Sequence, residues 1–397
     1  MKKIINKLFK LDKKLDREVT KKIKLYEQRV KSLHSGDSKD INVHIFQEDN
    51  EVYLSSGEDT FYFKCQAPSK PTTQYADFAA WIFLPVAMSQ SKDLIIHGAG
   101  TIETKVNAEK LSDTWSYWMP KKYGIVQVDF TQTREPQSTI GKKDLMLFSG
   151  GVDSTYTLIN KDFESRPDIL TVQGMDYKVS DDSRFDAAIN KTNPLINKYA
   201  GERVYVRSNA YDIYKKYNLA PRLTFVFVLS SASFLFIDKY KTVTIASDFS
   251  LYQQFEALPY GSSIATDQLY DSGDFQLETH GNDVTRAEKI PSIIDNETAL
   301  KTLSLCKNKK IRPENCGVCS KCIRTKYMML ATTGSIPHES FIDPSLNTDK
   351  KLEVATSGDR QEIHIKATYI AGLRNNNLDK IPVIVDEYNK LCLSKRK

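Results

Sequence analysis

Apolar and polar positions change rhythm three times along this chain. Near the start they recur at helical spacing, through Ile4, Leu8, Leu11, Leu15, Val19, Ile23, Tyr26, Val30 and Leu33, which predicts one amphipathic helix within residues 1–40. The stretch HSGDSKD, His34–Asp40, is polar and turn-forming and ends that pattern. Between 41 and 130 the runs NVHIF, EVYLS and TFYFKC alternate as strands do. DFAAWIFLPVAM then predicts a helix, and DLIIHGA and GIVQVDF predict further strands. These make a small α+β domain, and the polar TQTREPQSTIGKK, Thr131–Lys143, reads as a linker.

From Asp144 onward strands and helices alternate: DLMLF, a glycine-rich turn and TYTLIN, then DILTVQG, ERVYVRS, a long apolar helix around Phe225–Ile237, and TVTIAS. Such alternation predicts right-handed crossovers and a mostly parallel sheet, hence an α/β domain over 144–335. Ligands of these sheets bind beyond the carboxyl ends of the strands, which directs attention to the loops after Phe148, Gly174, Ser208 and Ser247. Residues 336–397 are polar and read as a C-terminal helical tail with a helix around Ile381–Leu393.

Composition narrows the class. Of 397 residues, 40% are apolar and 27% charged, which is globular and unlike disordered or collagenous chains. The longest uncharged apolar stretch, Leu223–Ile237, is too short to span a bilayer and is broken by Ser230, Ser231 and Ser233. The net charge of +6 is local: residues 1–31 hold 12 basic and 4 acidic side chains, which leaves the remainder slightly acidic. A near-neutral body argues for small-molecule chemistry over dedicated nucleic-acid binding. The basic helix itself packs on its own body or a sister chain, or docks on a membrane or partner. Lysines interrupt any apolar leader core, so a cytoplasmic location is expected.

Four of the six cysteines, Cys306, Cys316, Cys319 and Cys322, fall within 17 residues. That is ligand spacing, and four thiolates close a tetrahedral shell on Zn²⁺; an iron–sulfur cluster fits the ligand count as well. A closed shell makes the metal structural.

The sharpest motif is Ser149-Gly150-Gly151-Val152-Asp153-Ser154, placed after an apolar strand and at the start of a helix. Two glycines allow close backbone approach to an anion, and the helix start presents N–H groups and the positive end of its dipole. Ser149 and Ser154 add hydroxyl donors. Asp153 would repel a bare phosphate, so its presence implies Mg²⁺ bridging carboxylate and phosphate oxygens. Neither a Walker loop nor a G-x-G-x-x-G motif is present.

SGGVDS resembles the signature of the PP-loop ATP pyrophosphatases, which split ATP between its α and β phosphates, usually to adenylate an oxygen. With the cysteine cluster, with Leu258-Pro259-Tyr260-Gly261-Ser262 before Asp267-Gln268-Leu269, and with the Asn315–Thr325 run NCGVCSKCIRT, the chain resembles 7-cyano-7-deazaguanine synthase-like proteins over about residues 50–335. The resemblance implies a Rossmann-like parallel sheet of the adenine nucleotide alpha hydrolase type, with a zinc-bound C-terminal segment and a small preceding α+β domain. It also implies adenine contacts at the end of the second strand of that sheet, at Gly174 and Met175 beside Asp176, and pyrophosphate contacts from Arg286 and Lys289. The chain departs from the synthases where they carry a G-Y-P-D-C-R-type substrate loop: ASDFSLYQQFEALPYGSS stands there, which puts the substrate in doubt.

The expected activity is therefore ATP-dependent adenylation of a carboxylate, for instance a 7-deazaguanine-type acid, with release of pyrophosphate and attack by ammonia or an amine. ATP, Mg²⁺ and Zn²⁺ are the expected cofactors, and a homodimer or a docked partner is expected to use the N-terminal helix. Two alternatives stay open: an RNA-thiolating PP-loop enzyme, and a non-catalytic ATP- or AMP-binding subunit of a defence or nucleic-acid-modification system.

Overall fold

The computed structural model describes residues 2–34, 39–66, 70–346 and 361–394, with side chains described from residue 17 to 393. The amphipathic pattern at the start forms α1, Lys2–Leu33. The described part of its apolar face lies on the protein's own sheet: Tyr26 stacks on Phe46 at 4.2 Å, Tyr26 and Val30 are buried and Val19 and Ile23 half-buried, while Leu33 at the end of the expected stripe is exposed. Lys22 anchors the same face with ion pairs of 2.7 Å to Glu48 and Glu51. Ile4 to Leu15 of the expected stripe lie outside the described side chains.

The alternating runs form β1 (Ile41–Glu48), β2 (Glu51–Ser55), β3 (Thr60–Gln66), β4 (Leu94–Gly100) and β5 (Val128–Thr133). The second set forms β6 (Lys143–Leu147), β7 (Asp168–Gln173), β8 (Arg203–Ser208) and β9 (Tyr240–Ala246), joined by an unanticipated β10 (Gln276–His280). All ten belong to one sheet of order β10-β9-β6-β7-β8-β3-β2-β1-β4-β5. Six of its nine ladders are parallel; β8–β3, β3–β2 and β2–β1 are antiparallel. The fold is α/β, as expected, and the sheet continues across the two expected domains through the pairing of Phe63–Gln66 with Tyr205–Ser208.

Two helices explain how the sheet's joined halves share a core. α2 (Asp77–Gln90) is apolar on every side and buried from Asp77 through Met88, as expected of a helix enclosed on all faces. It packs on α7 (Pro221–Phe234), with the Trp81 ring edge-on to Phe234 at 5.6 Å, and both contribute to a core that reaches from Ile41 to Leu277. A second core holds the other helices that matter for function: α4 (Val152–Asn160), α5 (Asp182–Tyr199), α9 (Ile290–Ile294) and α11 (Ser320–Thr333). Residues 361–394 add α12 (Gln361–Arg374) and α13 (Pro382–Ser394), whose Ile365, Ala371 and Ile384 enter this same core.

The stretch 131–143 is tied down at its start. Arg134 is buried and bonds Asp77 of α2 and Asp274 before β10, with Nε–Oδ2 of 2.8 Å to Asp77 and bonds of 2.7 and 3.0 Å to Asp274. Among the described residues, no helix is long and apolar enough to cross a membrane.

Candidate functional site

Strand order places the site. β6 pairs with β7 on one side and with β9 on the other, so successive crossovers run outward from β6 in opposite directions and leave a crevice at its carboxyl end. Residues 149–154 occupy that position and lead into α4. Gly150 has φ of +75°, a region open to glycine, and its carbonyl accepts a 2.7 Å bond from Ser304 N–H. Ser149 N–H donates to Ser154 Oγ at 3.3 Å, and the two hydroxyls lie 3.2 Å apart, which curls the loop around its own backbone.

Cations converge on this loop. Arg286 donates to both Asp153 oxygens, from Nε at 3.2 Å and Nη2 at 2.6 Å, and Nη2 also reaches Asp248 Oδ1 at 2.7 Å. Lys289, fully buried, donates to Asp153 Oδ1 at 3.2 Å and to the Ser247 carbonyl at 2.6 Å. Burial opposes ionisation of Asp153, but the charges and bonds of Arg286 and Lys289 outweigh it and hold the carboxyl below its ordinary pKa. Burial likewise works against the Arg286 charge, and Asp153 and Asp248 reverse that and raise its pKa.

Two more cations come from the first two turns of α11. Arg324 is pushed down to about 10, first by burial and then by repulsion from Arg286, and its Nε is buried without a hydrogen-bond partner. Lys321 is exposed on its own surface, but loss of hydration lowers its pKa, with Asp176 acting to raise it and Arg286 to lower it. Four cations, Arg286, Lys289, Lys321 and Arg324, thus share one field with the carboxylates Asp153 and Asp248 at the core of the site. A basin with surplus positive charge and an orphaned guanidinium N–H suits a polyanion. The Asp153 carboxylate is engaged by both Arg286 and Lys289, so a Mg²⁺ ion there would share it with them.

The run Leu258-Pro259-Tyr260-Gly261-Ser262 frames this basin. Gly261 is required because an added Cβ would meet the Phe225 ring at 2.5 Å. Asp267 accepts from Ser262 Oγ at 2.7 Å, Ser263 N–H at 3.0 Å and Thr279 Oγ1 at 2.7 Å; burial still pushes it up to about 6. The ordered loop projects Tyr260, whose hydroxyl donates to Asp248 Oδ2 at 2.5 Å.

The four cysteines meet. Sγ–Sγ separations are 3.7 Å for Cys306–Cys319, 3.9 Å for Cys316–Cys322 and 3.5 Å for Cys319–Cys322. A tetrahedron with Zn–S bonds of about 2.3 Å has edges of about 3.8 Å, whereas a disulfide needs about 2.05 Å. The cluster is compatible with zinc. Backbone N–H groups of Val318 and Cys319 donate to Cys316 Sγ at 3.4 and 3.3 Å, and Asn308 N–H donates to Cys306 Sγ at 3.3 Å. Gly317 is obligatory: φ is +79° and a Cβ would lie 1.9 Å from the Asp343 carbonyl. Asn315 secures the knuckle, accepting from Leu305 N–H at 2.9 Å and donating to the Leu303 and Ser340 carbonyls at 2.9 and 3.0 Å. Because Ser304 also holds Gly150, the cysteine segment and the SGGVDS loop are mechanically joined.

Of the residues singled out in the sequence, Ser149 through Ser154, Arg286 and Lys289 come together, and Cys306, Cys316, Cys319 and Cys322 form their own cluster. Gly174 and Met175 are joined to the Asp153 group by no hydrogen bond or ion pair among the described residues, while Asp176 beside them acts on Lys321. Gly174 is explained by the backbone, since φ is +109° and a Cβ would lie 1.9 Å from the Ser208 carbonyl, and Met175 packs on the main core. Asp248, Lys321, Arg324 and His364 were not singled out by sequence. Arg324 and Lys321 lie inside the NCGVCSKCIRT run and Asp248 just after a flagged strand, but nothing local marks His364, whose ring stacks on Phe249 at 5.7 Å. Among known proteins, no family description, no curated sequence and no solved structure matches this chain.

Proposed function

We infer that this protein binds ATP at the SGGVDS loop and transfers its adenylyl group to a carboxylate. The observation that carries the reading is the convergence of Arg286, Lys289 and the α4 N-terminus on residues 149–154 at the switch point of a parallel sheet. A carboxylate oxygen would attack the α phosphorus, the Pα–O–Pβ bond would break, and pyrophosphate would leave. An amine or ammonia would then attack the acyl carbon and expel AMP. Arg286, Lys289 and the N–H groups at the start of α4 would stabilise charge gathering on pyrophosphate, and Arg324 would lend its unpartnered N–H. Mg²⁺, when bound with the nucleotide, supplies further neutralisation of phosphate charge through Asp153. Four thiolates of Cys306, Cys316, Cys319 and Cys322 would hold Zn²⁺, fixing the Ser304–Gly150 bond and the first turn of α11 from behind.

The test is product analysis with ATP, Mg²⁺ and a panel of heteroaromatic carboxylates, including 7-carboxy-7-deazaguanine. AMP and pyrophosphate in equal amounts, with carboxylate-dependent pyrophosphate exchange, are expected. ADP and orthophosphate as sole products would overturn the assignment. The pairing of Asp153 with Arg286 and Lys289 favours one second reading, a nucleotide-binding subunit without turnover, for which tight AMP or ATP binding would occur with no exchange on any acid.

A further inference from the structure

Three histidines meet on the opposite half of the sheet from the SGGVDS loop. β1 and β4 are parallel neighbours, and their register sets His44 directly against His97. Their rings stack at 3.9 Å with 10° between planes. The end of α1 brings a third: His34 Nε2 lies 2.8 Å from His44 Nε2, and the His34 ring centroid lies 5.6 Å from that of His97. One nitrogen from each of the three falls within 4.8 Å of the others, and all three side chains are half-buried.

This placement does not follow from packing. Three imidazoles are poor filling for a surface seam, and within the chain's six histidines half are gathered here from segments 10 and 53 residues apart in sequence. On the same sheet face α1 is otherwise held by apolar and ionic contacts, Tyr26 on Phe46 and Lys22 on Glu48 and Glu51. At its last turn those give way to imidazole.

The geometry points to a site for a divalent transition metal of borderline softness, Zn²⁺ or its neighbours, held by His34, His44 and His97 and clamping the end of α1 to β1 and β4. Imidazole is the preferred neutral ligand for such ions, and three of them plus one solvent position complete a tetrahedron. The second shell is present. His97 Nε2 lies 3.0 Å from Asn42 Oδ1, so that nitrogen carries its proton toward the amide oxygen and Nδ1 is left as the donor atom for a metal. Between His34 and His44 the 2.8 Å contact needs one protonated and one bare nitrogen. A metal taking both would move that proton to Nδ1 of the same ring, with no change in net charge of the ligands. Metal–nitrogen bonds of about 2.0–2.1 Å require nitrogens about 3.3–3.4 Å apart, so His34 and His44 need separate by about half an ångström; because an ion lies in the plane of each imidazole that binds it, the His44 and His97 rings, now stacked 10° from parallel, also need to turn relative to each other.

The test uses the full chain and Zn²⁺ alone. After equilibrium dialysis the wild-type protein should hold two zinc ions per chain, and His34→Gln and His97→Gln should each hold one, retained by the cysteine cluster. His34 ends a helix and contributes little apolar burial, so His34→Gln tests the site without threatening the fold. Added Zn²⁺ should slow proteolysis within α1 at least several-fold in the wild type and leave both variants unchanged. Equal zinc content in wild type and variants, or zinc-independent cleavage of α1 in the wild type, would overturn the proposal.

Discussion

Arg134 and Arg286 each bridge two aspartates, yet the two clusters have opposite surroundings. Side-chain exposures are 7%, 1% and 0% for Arg134, Asp77 and Asp274, against 16%, 14% and 28% for Arg286, Asp153 and Asp248. Neutral donors complete the first cluster: Asp77 Oδ1 accepts from Thr101 N–H at 3.0 Å, Thr101 Oγ1 at 3.1 Å and Thr104 Oγ1 at 2.6 Å, while Asp274 accepts from Gln137 N–H and Ser272 Oγ, each at 2.8 Å. Around the second the Tyr260 hydroxyl donates to Asp248, and the remaining groups are cations: Lys289, Lys321 and Arg324. Ion pairs sealed by neutral donors have nothing left to bind and act as structure; ion pairs embedded in surplus positive charge can exchange a carboxylate for a phosphate.

The comparison is most easily broken at Arg134. Arg134→Met should lower the free energy of unfolding by about 3–5 kcal/mol, because it leaves two buried carboxylates without their cation. Urea unfolding measures this, and a loss below about 1 kcal/mol would show that the sealed cluster does not hold residues 131–143 to the body. The pH dependence has a definite sign. Burial acts to raise the Asp274 pKa, but Arg134, Gln137 N–H and Ser272 bring it below the ordinary value. Its stabilisation is therefore present above the unfolded carboxylate pKa of about 3.9 and is lost as pH falls through the folded value, so the gap between wild type and variant should narrow in acid.

These clusters also show what a sequence can and cannot disclose. Strands with alternating apolar residues and the buried helix α2 were legible because their burial pattern is local. The helix Ile102–Trp118 was not, since its apolar stripe is short, Ala108, Leu111 and Trp115, and the rest of its buried face is polar: Thr104, Asn107, Ser112 and Ser116. β10, QLETH, buries only Leu277 and sits at the sheet edge. The antiparallel join of β3 to β8 spans more than a hundred residues and has no local signal. In the site, SGGVDS and the cysteine spacing are local motifs and were visible, as were Arg286 and Lys289 through a resemblance. Arg134 was hidden inside a polar stretch, because the two carboxylates that bury it come from positions 77 and 274 and only the fold unites them.

At the open cluster the corresponding change is Arg286→Met. Stability should fall far less than in Arg134→Met, since Lys289 still compensates Asp153 and Asp248 is partly exposed to water. Pyrophosphate binding should instead weaken about 10- to 100-fold, the scale of one charge-assisted bond at about 1.5–3 kcal/mol. Calorimetric titration with pyrophosphate reads this directly. A stability loss equal to that of Arg134→Met, with pyrophosphate affinity unchanged, would place both clusters in the structural class.

The smallest effect is the most discriminating. Asp153 lies between Arg286 and Lys289, so a phosphate oxygen arriving at either cation competes with the carboxylate and is repelled by it. Asp153→Asn keeps the shape and removes the charge; without Mg²⁺, pyrophosphate should therefore bind about 3- to 10-fold tighter, corresponding to about 0.7–1.4 kcal/mol of relieved repulsion at a half-open site. With Mg²⁺ the order should invert, because the wild-type carboxylate then gains a cation shared with phosphate and the amide does not. Turnover, if it follows the adenylation reading, should be lost in the variant under both conditions. Calorimetry with and without Mg²⁺ separates the cases: weaker Mg²⁺-free binding in Asp153→Asn would mean that Asp153 orders Arg286 and Lys289 for the anion instead of competing with it, and the open cluster would then resemble the sealed one in using its carboxylates as scaffold.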